Sequence, residues 1–120
     1  MKPIRPAFFL ALLLAAGASC AQDAAVQVDA YAATQLARKN GCFRCHATKS
    51  ELKEGPAWAH IAARHRGKPG AQAELTAYLT SSGSKAMYLD GQVIYHKTVQ
   101  TTPHDDAAQV RNLVDWILSR

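Results

Sequence analysis

The 120-residue sequence is short of several things, and each shortage excludes a class of protein. Cysteine occurs only three times, and beyond Cys42 and Cys45 no second ligand pair at similar spacing exists to complete a zinc site. No strand within a βαβ pattern leads into those cysteines, as a thioredoxin-like dithiol would need. After residue 21 no apolar run approaches the roughly 20 residues of a membrane-spanning helix. Basic and aromatic residues rarely adjoin, Phe43-Arg44 being an example, so nothing argues for nucleic-acid binding. There is no internal repeat and no low-complexity stretch beyond an alanine bias. No serine-histidine, paired-carboxylate or phosphate-loop constellation is present, which removes independent hydrolytic or transfer chemistry and predicts a protein that is not an enzyme.

What is there begins with an export signal. Lys2 and Arg5 precede the small and apolar run Ala7 to Ala16, the pattern of a secretory signal peptide. Ser19-Cys20-Ala21 places small residues where a signal peptidase cuts, so residues 1–21 are expected to leave and the mature chain to begin at Gln22 in the periplasm. The alternative is acylation of Cys20 as a lipoprotein; Gly17 stands where that signal carries a larger aliphatic residue. Residues 22–120 then form one domain of 99 residues with 12 basic and 9 acidic side chains, a formal charge of +3. That charge suits docking on an acidic redox protein.

The stretch that organises this domain is Cys42-Phe43-Arg44-Cys45-His46. Two thiols at this spacing can each add to a vinyl group of one porphyrin and leave the adjacent imidazole facing the iron. Cys42 and Cys45 are thus predicted to anchor one covalent haem c and His46 to be its proximal ligand. The competing readings are a bare dithiol or half of a zinc site with a histidine beside it by accident.

Local signals place helices around the motif. Asp29 is a good N-cap for a helix reaching Asn40, with Gly41 as the stop. Gly55-Pro56 reads as the start of a second helix with proline in its first turn, and Trp58, Ile61, Ala62 and His65 share one face. Ala71 to Ser81 reads as a third helix. Tyr88-Leu89, Asp90-Gly91 and Val93-Ile94-Tyr95 read as a hairpin with a type I′ turn. Thr102-Pro103-His104-Asp105 reads as the cap of a final helix whose stripe is Val110, Leu113, Val114 and Ile117, flanked by Trp116. His60 and His65 are read as packing histidines rather than ligands.

In this order of elements, and in Gly41 to His46, Gly55-Pro56-Ala57-Trp58, Gly70-Ala71 to Leu79, Ser82-Gly83-Ser84 and Leu113 to Ser119, the chain resembles the small bacterial class I c-type cytochromes. The resemblance implies an all-α fold, about four helices around one haem. It places the crossing of the first and last helices near Gly41, Pro56 beside His46, and Trp58 in the haem pocket. The sequence departs from the family where a methionine, usually followed by proline, serves as sixth ligand before the last helix, because Val99 to Pro103 contains none. The sixth ligand is predicted to be His96, which lies near that stretch; Met87, then His104, then an open site are the alternatives.

The function expected on this basis is one-electron transfer by a periplasmic monohaem carrier with a redox protein as partner. A haem that binds NO, CO or O2, or a haem subunit of a larger redox complex, are the alternatives. Either a homodimer or a heterodimer is compatible with the sequence.

Overall fold

The computed structural model describes residues 26–49 and 53–120, and the expected signal segment lies outside them. Four helices, α1 (Ala30–Lys39), α2 (Trp58–His65), α3 (Ala71–Thr80) and α4 (Ala107–Leu118), are joined by a short 3-10 turn (Cys42–Arg44) and a hairpin of β1 (Lys85–Met87) and β2 (Val93–Tyr95). None of the helices among the described residues is long and apolar enough to cross a membrane.

The final helix is the spine, and the other three pack on it. Ala33, Leu36 and Ala37 of α1, Trp58 of α2, and Leu75 and Leu79 of α3 meet Val110, Leu113, Val114, Trp116 and Ile117 of α4 in one buried cluster. The small residues Ala33 and Ala37 let α1 approach α4 closely, so little side-chain bulk separates the two backbones. Asn112 of α4 fastens the start of α1, accepting from the Asp29 N–H at 2.9 Å and donating to the Asp29 carbonyl at 2.8 Å.

The ends of α1 follow the sequence signals. Asp29 caps it by accepting from the Ala32 N–H at 2.9 Å, and Gly41 leaves it with φ 71°, a left-handed conformation glycine adopts without strain. Arg38 and Lys39 complement the negative end of its dipole. The starts of α2 and α4 differ from the reading. Pro56 stands outside α2, whose N-cap is Ala57. Thr102-Pro103 lies in the loop before α4; Asp106 is the cap, accepting from the Ala108 and Gln109 N–H groups. Those bonds hold the Asp106 carboxyl below its ordinary pKa, the Gln109 backbone N–H contributing most. A carboxylate that satisfies two orphan N–H groups outcompetes a threonine hydroxyl as the helix start.

The hairpin is present, but its first strand comes earlier than the sequence suggests and its turn is longer. Lys85, Ala86 and Met87 pair with Tyr95, Ile94 and Val93, and residues 88–92 form the loop. A type I′ turn needs positive φ at both central residues. Here only Gly91, at φ 87°, is left-handed, with its N–H donating to the Tyr88 carbonyl at 2.9 Å. Ala86 and Ile94 are half-buried, while Lys85, Met87, Val93 and Tyr95 are exposed.

Candidate haem-binding site

The 3-10 turn bends the chain back immediately after Gly41, so that Cys42 and Cys45 enter the same cavity. Backbone bonds from the Arg44 N–H to Gly41 and from the Cys45 and His46 N–H groups to Cys42 hold the motif as one tight unit. Both thiols are free and half-buried. Burial is the main reason both stand above the ordinary thiol pKa; at Cys45 the Glu54 carboxylate, 3.5 Å from the sulfur, adds to it. Among the described residues no group of three His, Cys, Asp or Glu side chains converges as a metal site.

His46 is oriented from three directions. Its Nδ1 lies 2.7 Å from the Pro56 carbonyl, which can only accept, so Nδ1 carries the proton and Nε2 keeps its lone pair. Trp58 flanks the ring at a centroid distance of 4.6 Å. Gly55 backs it: a Cβ there would stand 3.1 Å from both the Cys45 carbonyl and His46 Cε1. Burial lowers the His46 pKa, the Pro56 carbonyl works against that, and the nearby His96 imidazole lowers it further. The result is a neutral imidazole, the form that ligates metal. The Gly55 N–H also bonds to the Cys45 carbonyl at 2.9 Å, and the Trp58 N–H to the Ala47 carbonyl at 3.1 Å, so the segment after the motif folds back against it.

Opposite His46 stands His96, just beyond β2. Its N–H donates to the Ser84 carbonyl at 2.7 Å, and its Nδ1 lies 2.8 Å from the Lys97 carbonyl, which again leaves Nε2 as the free nitrogen. The two imidazole centroids are 6.1 Å apart. With each ligating nitrogen about 2 Å from a metal and each ring centre about 1 Å behind its nitrogen, two imidazoles bound on opposite sides of one iron have centroids about 6 Å apart. The cavity that both histidines line measures about 1280 Å3. Trp58, another lining residue, is only 3% exposed yet its indole N–H has no acceptor among the described residues, a donor available to a polar group carried by a cofactor. The donor set, the cavity and the ring spacing all fit a haem.

The other candidates are placed differently. Pro56 and Trp58 line the cavity together with His46. Met87 also lines the cavity, but it is 66% exposed and paired with Val93 in the hairpin. His104 is exposed, 2.8 Å from the Asp105 carboxylate and away from the cavity lining. His60 and His65 line the cavity, with His65 Nδ1 3.7 Å from Glu74. Three contributors were not singled out by sequence. Phe43 and Trp116 pack edge-on to Trp58 at 5.8 and 5.5 Å, and Tyr78 flanks His96 at 5.1 Å. The signal for Trp116 was its i+3 spacing from Leu113, which puts it on the buried side of α4 rather than beside it.

A family model described as Cytochrome c matches residues 30–120. Cytochrome c-551 of Allochromatium vinosum is 36% identical over 93 residues, 78% of this chain and 90% of that protein. Cytochrome c-551 of Pseudomonas aeruginosa is 33% identical over 120 residues, the whole of this chain and 99% of that one. Among solved structures, the class 1 cytochrome MtoD from Sideroxydans lithotrophicus ES-1 is similar with a TM-score of 0.69 and 42% identity, over 78% of this chain and 97% of that one.

Proposed function

The chain belongs to the cytochrome c family, and from that premise we propose that it is an exported periplasmic electron carrier whose single iron is held between His46 and His96. Members of the family bind one covalently attached haem c and transfer electrons, and this chain is a monohaem electron-transfer cytochrome of that kind. When bound, the haem supplies an iron that gains and loses one electron. Cys42 and Cys45 provide the thioether sulfurs, His46 the proximal nitrogen, and Pro56 and Trp58 fix that imidazole in its neutral, outward-facing tautomer.

One observation carries the reading of the sixth ligand. The His46 and His96 ring centroids lie 6.1 Å apart, and in each the Nδ1 is already engaged by a main-chain carbonyl. Two rings so tied have one free nitrogen apiece, and both rings line the same cavity. Two such nitrogens would hold an iron low-spin in both oxidation states, so that little rearrangement would accompany electron transfer. That supports a carrier rather than an enzyme or a gas-binding haem. Imidazole in place of methionine sulfur also lowers the potential, since methionine ligation raises it. Export is supported by the pattern of residues 1–21, and a cytochrome domain over 22–120 by the match from residue 30 onward. The partner is a redox protein that accepts or donates one electron.

The test is the absorption spectrum of the purified holoprotein. The oxidised form is expected to be low-spin and to lack the weak band at the red edge that reports methionine-sulfur ligation. The reduced form is expected to change little on adding CO. Rapid, stoichiometric CO binding would instead favour a haem that captures small gases.

A further inference from the structure

The hairpin that carries His96 is thinly attached. Its strands pair with each other, but neither packs extensively on a helix. Met87, Val93 and Tyr95 are exposed, Met87 and Tyr95 at the cavity, so little apolar packing against the helices holds the hairpin down. Polar bonds gathered at its base do that instead, and one side chain touches both ends of the hairpin there.

That side chain is Tyr78, on the buried side of α3. Its hydroxyl donates to the carbonyl of Lys85, the first residue of β1, at 2.9 Å. Its ring flanks His96, just past the end of β2, at a centroid distance of 5.1 Å and an interplanar angle of 49°. Its own carbonyl accepts from the Ser84 hydroxyl at 2.9 Å, and Ser84 in turn accepts the His96 N–H at 2.7 Å. Tyr78 thus touches both legs of the hairpin where they enter the fold. Farther along, the chain is secured again, with the Val99 N–H bonded to Leu79 at 2.8 Å and Gln100 clamped by Asn40. Between these points the His96 ring is held by the Lys97 carbonyl at its Nδ1 and, from outside the hairpin, by the ring of Tyr78.

Resting on the assignment of His96 as sixth ligand, we propose that Tyr78 is the positioning residue that latches that imidazole over the cavity and sets how often the sixth position opens. The hydroxyl fixes the first leg of the hairpin to α3. The ring limits rotation of the imidazole and blocks its swing toward α3. Both contacts must yield before His96 can withdraw, so the opening rate reads the latch directly.

The experiment measures CO association to the reduced holoprotein for wild type, Tyr78→Phe, Tyr78→Leu and His96→Ala, together with hydrogen exchange at the His96 and Tyr88 amides. Tyr78→Phe keeps the ring and loses only the hydroxyl. It is expected to bind CO roughly fivefold faster, about what one net hydrogen bond is worth. Tyr78→Leu loses the ring contact too and is expected to be faster by roughly fiftyfold. Amide exchange in the hairpin should accelerate in the same order, with haem content and far-UV spectrum unchanged. A merely structural tyrosine would lower thermal stability without ordering these rates. If Tyr78→Leu binds CO at the wild-type rate while His96→Ala binds it rapidly, the latch is refuted and the ligand assignment stands. If His96→Ala itself stays low-spin and closed to CO, both fall.

Discussion

The two walls of the cavity are built on different principles. On the His46 side nearly every restraint comes from residues close by in sequence: the 3-10 turn, Gly55, the Pro56 carbonyl and Trp58 all lie within 13 residues of Gly41 or of His46. On the His96 side the imidazole hangs from a two-stranded ribbon, and the groups that steady it, Tyr78 and Ser84, come from another helix and its trailing turn. A wall made of short-range contacts is rigid and is encoded as a motif. The other leans on an aromatic side chain 18 residues away on a separate helix, which leaves almost no local signature.

The comparison can be broken most severely at the anchors. Replacing both Cys42 and Cys45 with alanine is expected to abolish covalent haem altogether, read as loss of haem peroxidase staining on a denaturing gel. Staining that survives would remove the premise of a fixed wall. Next in size is Gly55→Ala, whose methyl group must fit 3.1 Å from the His46 ring and the Cys45 carbonyl. Overpacking of that kind costs about 1–3 kcal/mol, and here it falls on the proximal ligand. The melting temperature should drop and the Soret band should shift. The same change at Gly91, where a Cβ meets nothing within 4 Å, strains only its positive φ and should leave the Soret band in place. The smallest effect is expected at Asp29→Ala, which removes the α1 cap at a cost of about 1 kcal/mol without altering the haem spectrum. A spectral change in that variant would mean that α1 reports to the iron more directly than the packing implies.

The legibility of the sequence follows the same division. CxxCH, Gly41 and the Asp29 cap are local chemistry; the structure has the Asp29 cap and the left-handed Gly41, and folds Cys42–Arg44 into a tight turn. The role of Trp116 was half visible, because its helical spacing pointed inward while its position beside the stripe suggested a margin. The start of α4 lies at Asp106 rather than at Thr102-Pro103 because the folded loop decides it; there the Thr101 hydroxyl accepts from the Asp106 N–H and donates to the Pro103 carbonyl. The second strand of the hairpin could be read from Val93-Ile94-Tyr95, whereas Lys85-Ala86-Met87 lacks a strand-like pattern and becomes β1 only by pairing. Tyr78 had no signal beyond its place on the buried side of α3. Its use emerges only when His96 arrives from 18 residues further along the chain.

The central claim is that one iron bridges these unequal walls through His46 and His96, and one comparison tests it most directly. His96→Ala and Met87→Ala are loaded with haem and their spectra recorded, oxidised and reduced, before and after CO. The account predicts that His96→Ala becomes high-spin and binds CO rapidly when reduced, while Met87→Ala, which removes a 66% exposed side chain, stays low-spin with CO access like that of the unmodified protein. The opposite pattern, with only Met87→Ala losing its low-spin spectrum and gaining CO, would contradict it.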